Sequence, residues 1–125
     1  MPPAGKARIR AAQNFLANLD AISELLLETR PEDAAASFQA LQRDIDELLS
    51  LLELHPAIGR PARFLNSRSV QARERAGRVL RLAGSLQIAE LREYVLREYI
   101  VLYAASNADV VLLAIKHQRQ LRYSV

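Results

Sequence analysis

Toward the C-terminal end of the chain an apolar run, VVLLAI, gives way at once to Lys116, His117, Arg119 and Gln120, with Arg122 and Tyr123 close behind. An imidazole set among fixed cations can exchange a proton near neutral pH and hold an anionic group. That is the equipment of acid–base chemistry on a phosphate, or of contact with an acidic partner. Arg92, Tyr94, Tyr99 and Tyr103 lie upstream and extend the set of candidates. Each has a structural reading too. His117 follows a core strand as a polar rim residue, with Arg119 two positions on and so on the same strand face. The tyrosines suit a sheet surface. Arg92 alternates with Leu91 and Glu93, which suits a cross-strand ion pair. His55, before Pro56, fits a helix end near the last carbonyls. Neither histidine has an Asp or Glu at ligand spacing, so no metal site and no cofactor are expected.

Composition narrows the classes. The 125 residues, half of them apolar, suit one domain over residues 1–125 around one core. Cysteine is absent, which excludes disulfides and thiolate metal sites. No apolar run approaches the roughly 20 residues that cross a bilayer, and the start, MPPAGKARIR, has no apolar leader core, so a cytoplasmic protein without membrane contact is expected. Charge is unevenly spread: residues 1–55 carry five Lys/Arg against nine Asp/Glu, net −4, and residues 56–125 carry twelve against five, net +7. A basic half favours an anionic partner. Part of that charge, Arg68, Arg73, Arg75, Arg78 and Arg81, equally suits the solvated face of one helix.

These side chains need elements to hold them. ARIRA suits a short edge strand. From Asn14 as N-cap, the spacing of Phe15, Leu19, Ile22 and Leu26, widened by Leu16 and Leu25, predicts an amphipathic helix to about Thr29. Thr29 and Glu32 have capping-box spacing, with Pro31 in the first turn of a second helix. Its stripe is Ala34, Phe38, Leu41, Ile45, Leu48 and Leu52, stopped by His55-Pro56. The two form an antiparallel hairpin over about 14–54. HPAIGRPARFL then reads as a constrained loop, in which Gly59 and the prolines shape the turn and Arg60 reaches the sheet's end or a helix carboxylate. Ser69 to Gly84 suits an Arg-rich peripheral helix within a segment of about 66–88.

Over about 90–117 the period changes. ELREYVL, YIVLYAA and VVLLAIK are β-branched, aromatic and aliphatic, joined by the short links Arg97-Glu98 and SNAD. Strands linked so tightly form an antiparallel meander. The expected class is α+β: a helix hairpin packed on a small antiparallel sheet, with an extra peripheral helix.

The helix hairpin, HPAIGRP, LREY, YIVLY and VVLLAIKHQRQ, in this order, resemble the RelE/ParE toxin superfamily, closest to its ParE-like plasmid-stabilisation proteins. The resemblance covers nearly the whole chain except the 66–88 segment, where most members have a shorter link. It implies the toxin of a bacterial type II toxin–antitoxin pair, neutralised by a cognate antitoxin, with operator DNA reached only through that antitoxin. One branch of the superfamily cleaves messenger RNA on the ribosome and the ParE branch poisons DNA gyrase. A metal-independent endoribonuclease needs a base, an acid and cations on the phosphate, which Arg92, His117, Arg119 and Tyr123 would supply. In that branch an arginine often follows the tyrosine opening the strand that Tyr99 opens here, and this chain has Ile100 there. An aliphatic side chain holds no phosphate charge. The expectation is therefore a gyrase-binding toxin that is not an enzyme, with Arg92, Tyr99, Lys116, His117, Arg119 and Arg122 contacting the partner. A ribonuclease, or an inert descendant that only binds antitoxin, is the alternative.

Overall fold

The computed structural model describes residues 5–62 and 90–119. In chain order the elements are β1 (Arg8–Ala11), α1 (Gln13–Thr29), α2 (Ala34–Leu54), β2 (Arg60–Pro61), β3 (Glu90–Leu96), β4 (Tyr99–Ala105) and β5 (Asp109–His117). The peripheral helix expected over 69–84 lies outside the described residues, as do Arg122 and Tyr123. The described strands form one sheet in the order β1-β5-β4-β3-β2. β3, β4 and β5 are the expected antiparallel meander. β1 adds a parallel edge beside β5, and β2 adds an antiparallel edge beside β3. Over the described residues the architecture is α+β, two helices on a mostly antiparallel open sheet.

The helix boundaries differ from the sequence reading at both starts, for local reasons. α1 begins at Gln13 after Ala12, so Asn14 lies inside the helix and does not cap it. Its side chain instead donates to the Leu113 carbonyl at 3.0 Å, and the Asn18 carboxamide oxygen accepts from the Ile115 N–H at 3.0 Å. β1 pairs with β5 only as far as Leu112. Beyond it, the two asparagines one helical turn apart take up the backbone groups that a longer β1 would have bonded. A bulge in β5 falls at the same place, between the pairs Leu102↔Ala114 and Tyr103↔Leu112. Leu16 and Leu25, expected to widen the buried stripe, are exposed, leaving Phe15 and Asn18 as the buried positions of α1.

The capping box at Thr29 does not form. Thr29 Oγ1 donates back to the Leu25 carbonyl at 2.8 Å, within its own helix, so its hydroxyl is committed before α2 starts. Arg30, at φ −143° and ψ 59°, is out of the helical region, as expected of a residue before proline. The chain makes a turn over 30–33, and α2 begins at Ala34. The predicted stripe of α2 is otherwise right: Ala34, Leu41, Ile45, Leu48 and Leu52 are buried, with Phe38 packed against them. His55 ends the helix with its backbone N–H on the Leu51 carbonyl at 2.7 Å.

The β4 and β5 runs are nearly unbroken in apolar residues because both faces of the sheet are buried there. On the helix side, Tyr103, Val101 and Ala105 join Phe15, Leu48 and Leu52 in one core. On the other side, Leu102, Ala104, Ile100, Val111 and Leu113 form a second buried cluster with Ala62 and Leu91. The links behave as read. Ser106 Oγ accepts from the Asp109 N–H at 3.1 Å in the SNAD turn. Arg97 takes the left-handed φ of 51° that the two-residue β3–β4 turn demands, and its guanidinium pairs with Asp44 of α2 at 3.0 Å.

Candidate functional site

Residue alternation sends Lys116 and His117 to opposite faces of the sheet. His117 pairs with Tyr99 across the β4–β5 ladder, and Lys116 pairs with Ile100, so the imidazole lies on the helix side and the ammonium on the opposite side. The sequence therefore does not bring these two charges into one cluster.

On the helix side, His117 sits at the end of the sheet among residues of three segments. Its ring meets Tyr99 edge-on, with centroids 5.4 Å apart. Its Nε2 lies 3.8 Å from Glu98 Oε2, so this histidine does have a carboxylate neighbour. Its spacing in the sequence hid that partner because the contact crosses a hairpin. Nδ1 accepts from the Arg119 backbone N–H at 3.1 Å. β5 ends at His117, so Arg119 belongs to the turn that follows and not, as expected, to the same strand face. Burial raises the Tyr99 phenol above its ordinary value, with Glu98 adding to the rise and Arg30 opposing it. Among the described residues no group of three or more His, Cys, Asp and Glu is arranged to hold a metal ion.

The opposite face carries an ionic group that the sequence reading did not single out. Glu93 is only 4 % exposed. Its Oε1 lies 3.6 Å from Arg60 Nε, so Arg60 turns to a strand carboxylate and not to a helix carboxylate. Burial lowers the Lys116 ammonium below its ordinary value, while Glu93 pulls it back up and Arg60 pushes it further down. The available signal was Glu93 itself, a charge on the same side of β3 as Leu91 and Val95.

Arg92 lies elsewhere and has other work. It pairs with Tyr103 in the ladder, four residues along β4 from Tyr99, or about 13 Å at the usual rise per strand residue. Its ion pair is with Glu90 of its own strand, at 2.8 Å, and not across strands. Its Nη1 donates to the Gly59 carbonyl at 2.6 Å, and the Gly59 N–H donates to the Tyr103 hydroxyl at 2.8 Å. Both backbone groups of Gly59 are thus clamped on the sheet. This clamp explains β2, which the loop reading missed, because it lays Arg60 and Pro61 against Glu93 and Arg92.

Tyr103 is fully buried, so Tyr103→Phe should leave the Gly59 N–H without its acceptor and cost about 1–3 kcal/mol in chemical denaturation. Burial also raises the Tyr103 phenol, against smaller opposing effects of the Gly59 bond and Arg92. A raised folded value means that its stability contribution is intact below the unfolded value of about 10 and is lost as pH climbs through the folded value. Unfolding free energy should therefore fall above about pH 10, and less steeply in Tyr103→Phe. An identical alkaline slope in both proteins would contradict the assignment.

Between α2 and β3 runs a groove of about 250 Å³ lined by Leu48, Leu51, Tyr94 and Leu96, with Asp44, Glu47 and Arg97 among its polar residues. It is a recess between helix and sheet with room for an apolar side chain.

The sequence matches a family model described as the ParE toxin of type II toxin–antitoxin systems, parDE, over residues 9–122. No curated protein matches the sequence. Among solved structures, the fold is similar to a chain of the chromosomal ParDE toxin–antitoxin system from P. aeruginosa. That match has a TM-score of 0.54 and 16 % identity, and covers 90 % of this chain and 96 % of the other. At that identity the likeness bears on the fold alone, whereas the family match spans nearly the whole sequence. The chain belongs to the ParE toxin family of type II toxin–antitoxin systems.

Proposed function

We propose that this toxin arrests bacterial growth by binding DNA gyrase in the cytoplasm, and that a cognate antitoxin neutralises it. The observation that supports a binding toxin over a ribonuclease is the placement of its cations. Arg92 is committed to Glu90 and the Gly59 carbonyl, about 13 Å along the sheet from the row that holds Tyr99 and His117. Ile100, where ribonuclease relatives often keep an arginine, is buried in the second core. A cleavage transition state gathers charge on phosphate oxygens, and loss of one aligned donor typically costs about 100- to 1000-fold in rate. The partner-binding end, on this reading, is the polar rim of Tyr99, Lys116, His117 and Arg119.

The antitoxin would follow the charge of the chain. An acidic or mixed segment is attracted to the basic C-terminal half, while an apolar anchor enters the groove between α2 and β3. Transcript mapping after induction tests the choice of target. Growth arrest without new 5′ ends is expected. Codon-specific cuts on ribosome-bound transcripts that vanish in His117→Ala would overturn the gyrase reading in favour of the enzyme.

A further inference from the structure

We propose that His117 is a proton-operated latch on the turn after β5 that carries Arg119, released on acidification. As regulation of the rim, the consequence for partner binding rests on the function proposed above, but the latch itself does not. Among the described residues, three contacts hold Gln118 and Arg119 in place. The Arg119 N–H donates to His117 Nδ1 at 3.1 Å. The Gln118 N–H donates to the Glu98 carbonyl at 2.7 Å, and the Gln118 side chain donates to the Arg97 carbonyl. The last two are indifferent to pH over the range in which histidine titrates. The first is not.

The geometry dictates the tautomer. An Nδ1 that accepts carries a lone pair, so the neutral ring has its proton on Nε2, the atom facing Glu98 Oε2 at 3.8 Å. Taking up a second proton must place it on Nδ1, which turns the acceptor into a donor pointed at another donor. The Arg119 bond is lost, while the attraction between the imidazolium and Glu98 grows. The ring therefore stays on the sheet, and the residue beyond Gln118 is let go. Among the described groups around the ring are the Glu98 carboxylate from the β3–β4 turn and the Arg119 backbone N–H. Tyr99 of β4 packs edge-on as a neutral phenol, itself under the influence of Arg30 from the α1–α2 turn. Histidine ordinarily takes up its second proton between about pH 5 and pH 8.

The test is a nuclear magnetic resonance titration of the full chain from pH 8 to pH 5. Imidazole ¹⁵N shifts should show Nδ1 unprotonated and Nε2 protonated in the neutral form. As His117 titrates, the protection factor of the Arg119 amide, which already corrects for intrinsic exchange, should fall about 2- to 13-fold, the value of one net hydrogen bond. Amides of β4 should keep theirs. In His117→Asn the carboxamide oxygen stands near the Nδ1 position, so Arg119 should stay protected at every pH. In His117→Gln the oxygen lies further out, and protection should be low at every pH. Both variants remain readable because their spectra report folding directly. An Nδ1–H tautomer in the neutral form, or Arg119 protection unchanged through the His117 titration, would overturn the latch whether or not the protein poisons gyrase.

Discussion

Gly59→Ala should cost about 3 kcal/mol or more of unfolding free energy, and Gly59→Val should leave little folded protein. A Cβ at this position would stand 2.6 Å from the Glu93 carbonyl oxygen and 2.7 Å from the Tyr103 hydroxyl. The first obstacle is strand backbone, which cannot swing aside, and the second is a fully buried side chain. Relief requires moving the loop off the sheet, and that breaks the Gly59 bonds to Tyr103 and Arg92 together. Overpacking alone costs about 1–3 kcal/mol, and a buried unpaired N–H adds about 1–3 kcal/mol. Urea denaturation of the Gly59→Ala protein within about 0.5 kcal/mol of the parent would show that the clamp is not as tight as its geometry.

Expression of the toxin without its partner should arrest growth, and co-expression of a neighbouring antitoxin gene should restore it. This effect is the largest expected of any manipulation, because it depends on the whole surface and not on one contact. Among substitutions at the rim, Arg119→Glu should weaken toxicity and leave the fold intact, since the residue lies in the turn after β5 and is exposed. Arg92→Glu is a poor probe of the same surface, because it would break the Gly59 clamp. Vigorous growth at high yield of folded protein would favour a descendant that retains antitoxin binding only.

What the sequence made legible follows from which interactions are local. The α2 stripe and the three long strands repeat with their own periods, and the short links leave few ways to connect them. β1 was legible as ARIRA, but not its parallel partner, because that contact spans about a hundred residues of chain. β2 is two residues long and exists through Gly59, Tyr103 and Arg92, which are far apart in sequence. The helix starts were misread where a side chain had a non-local use: Asn14 serves β5, and Thr29 folds back on α1. At the candidate site, His117 and Lys116 were legible as residues but not as occupants of opposite faces. Glu98 and Glu93 were legible only as members of a turn and a strand, because their partners His117 and Arg60 lie far from them in the sequence. The family resemblance rested on the order of motifs, a chain-long signal that survives such local errors.

Binding of the toxin to gyrase can be measured by adding the purified protein to purified DNA gyrase and relaxed plasmid. Dose-dependent loss of supercoiling or accumulation of cleaved plasmid, reversed by prior addition of the cognate antitoxin, is expected. Supercoiling that proceeds undisturbed at a large molar excess of folded, growth-arresting protein would contradict it.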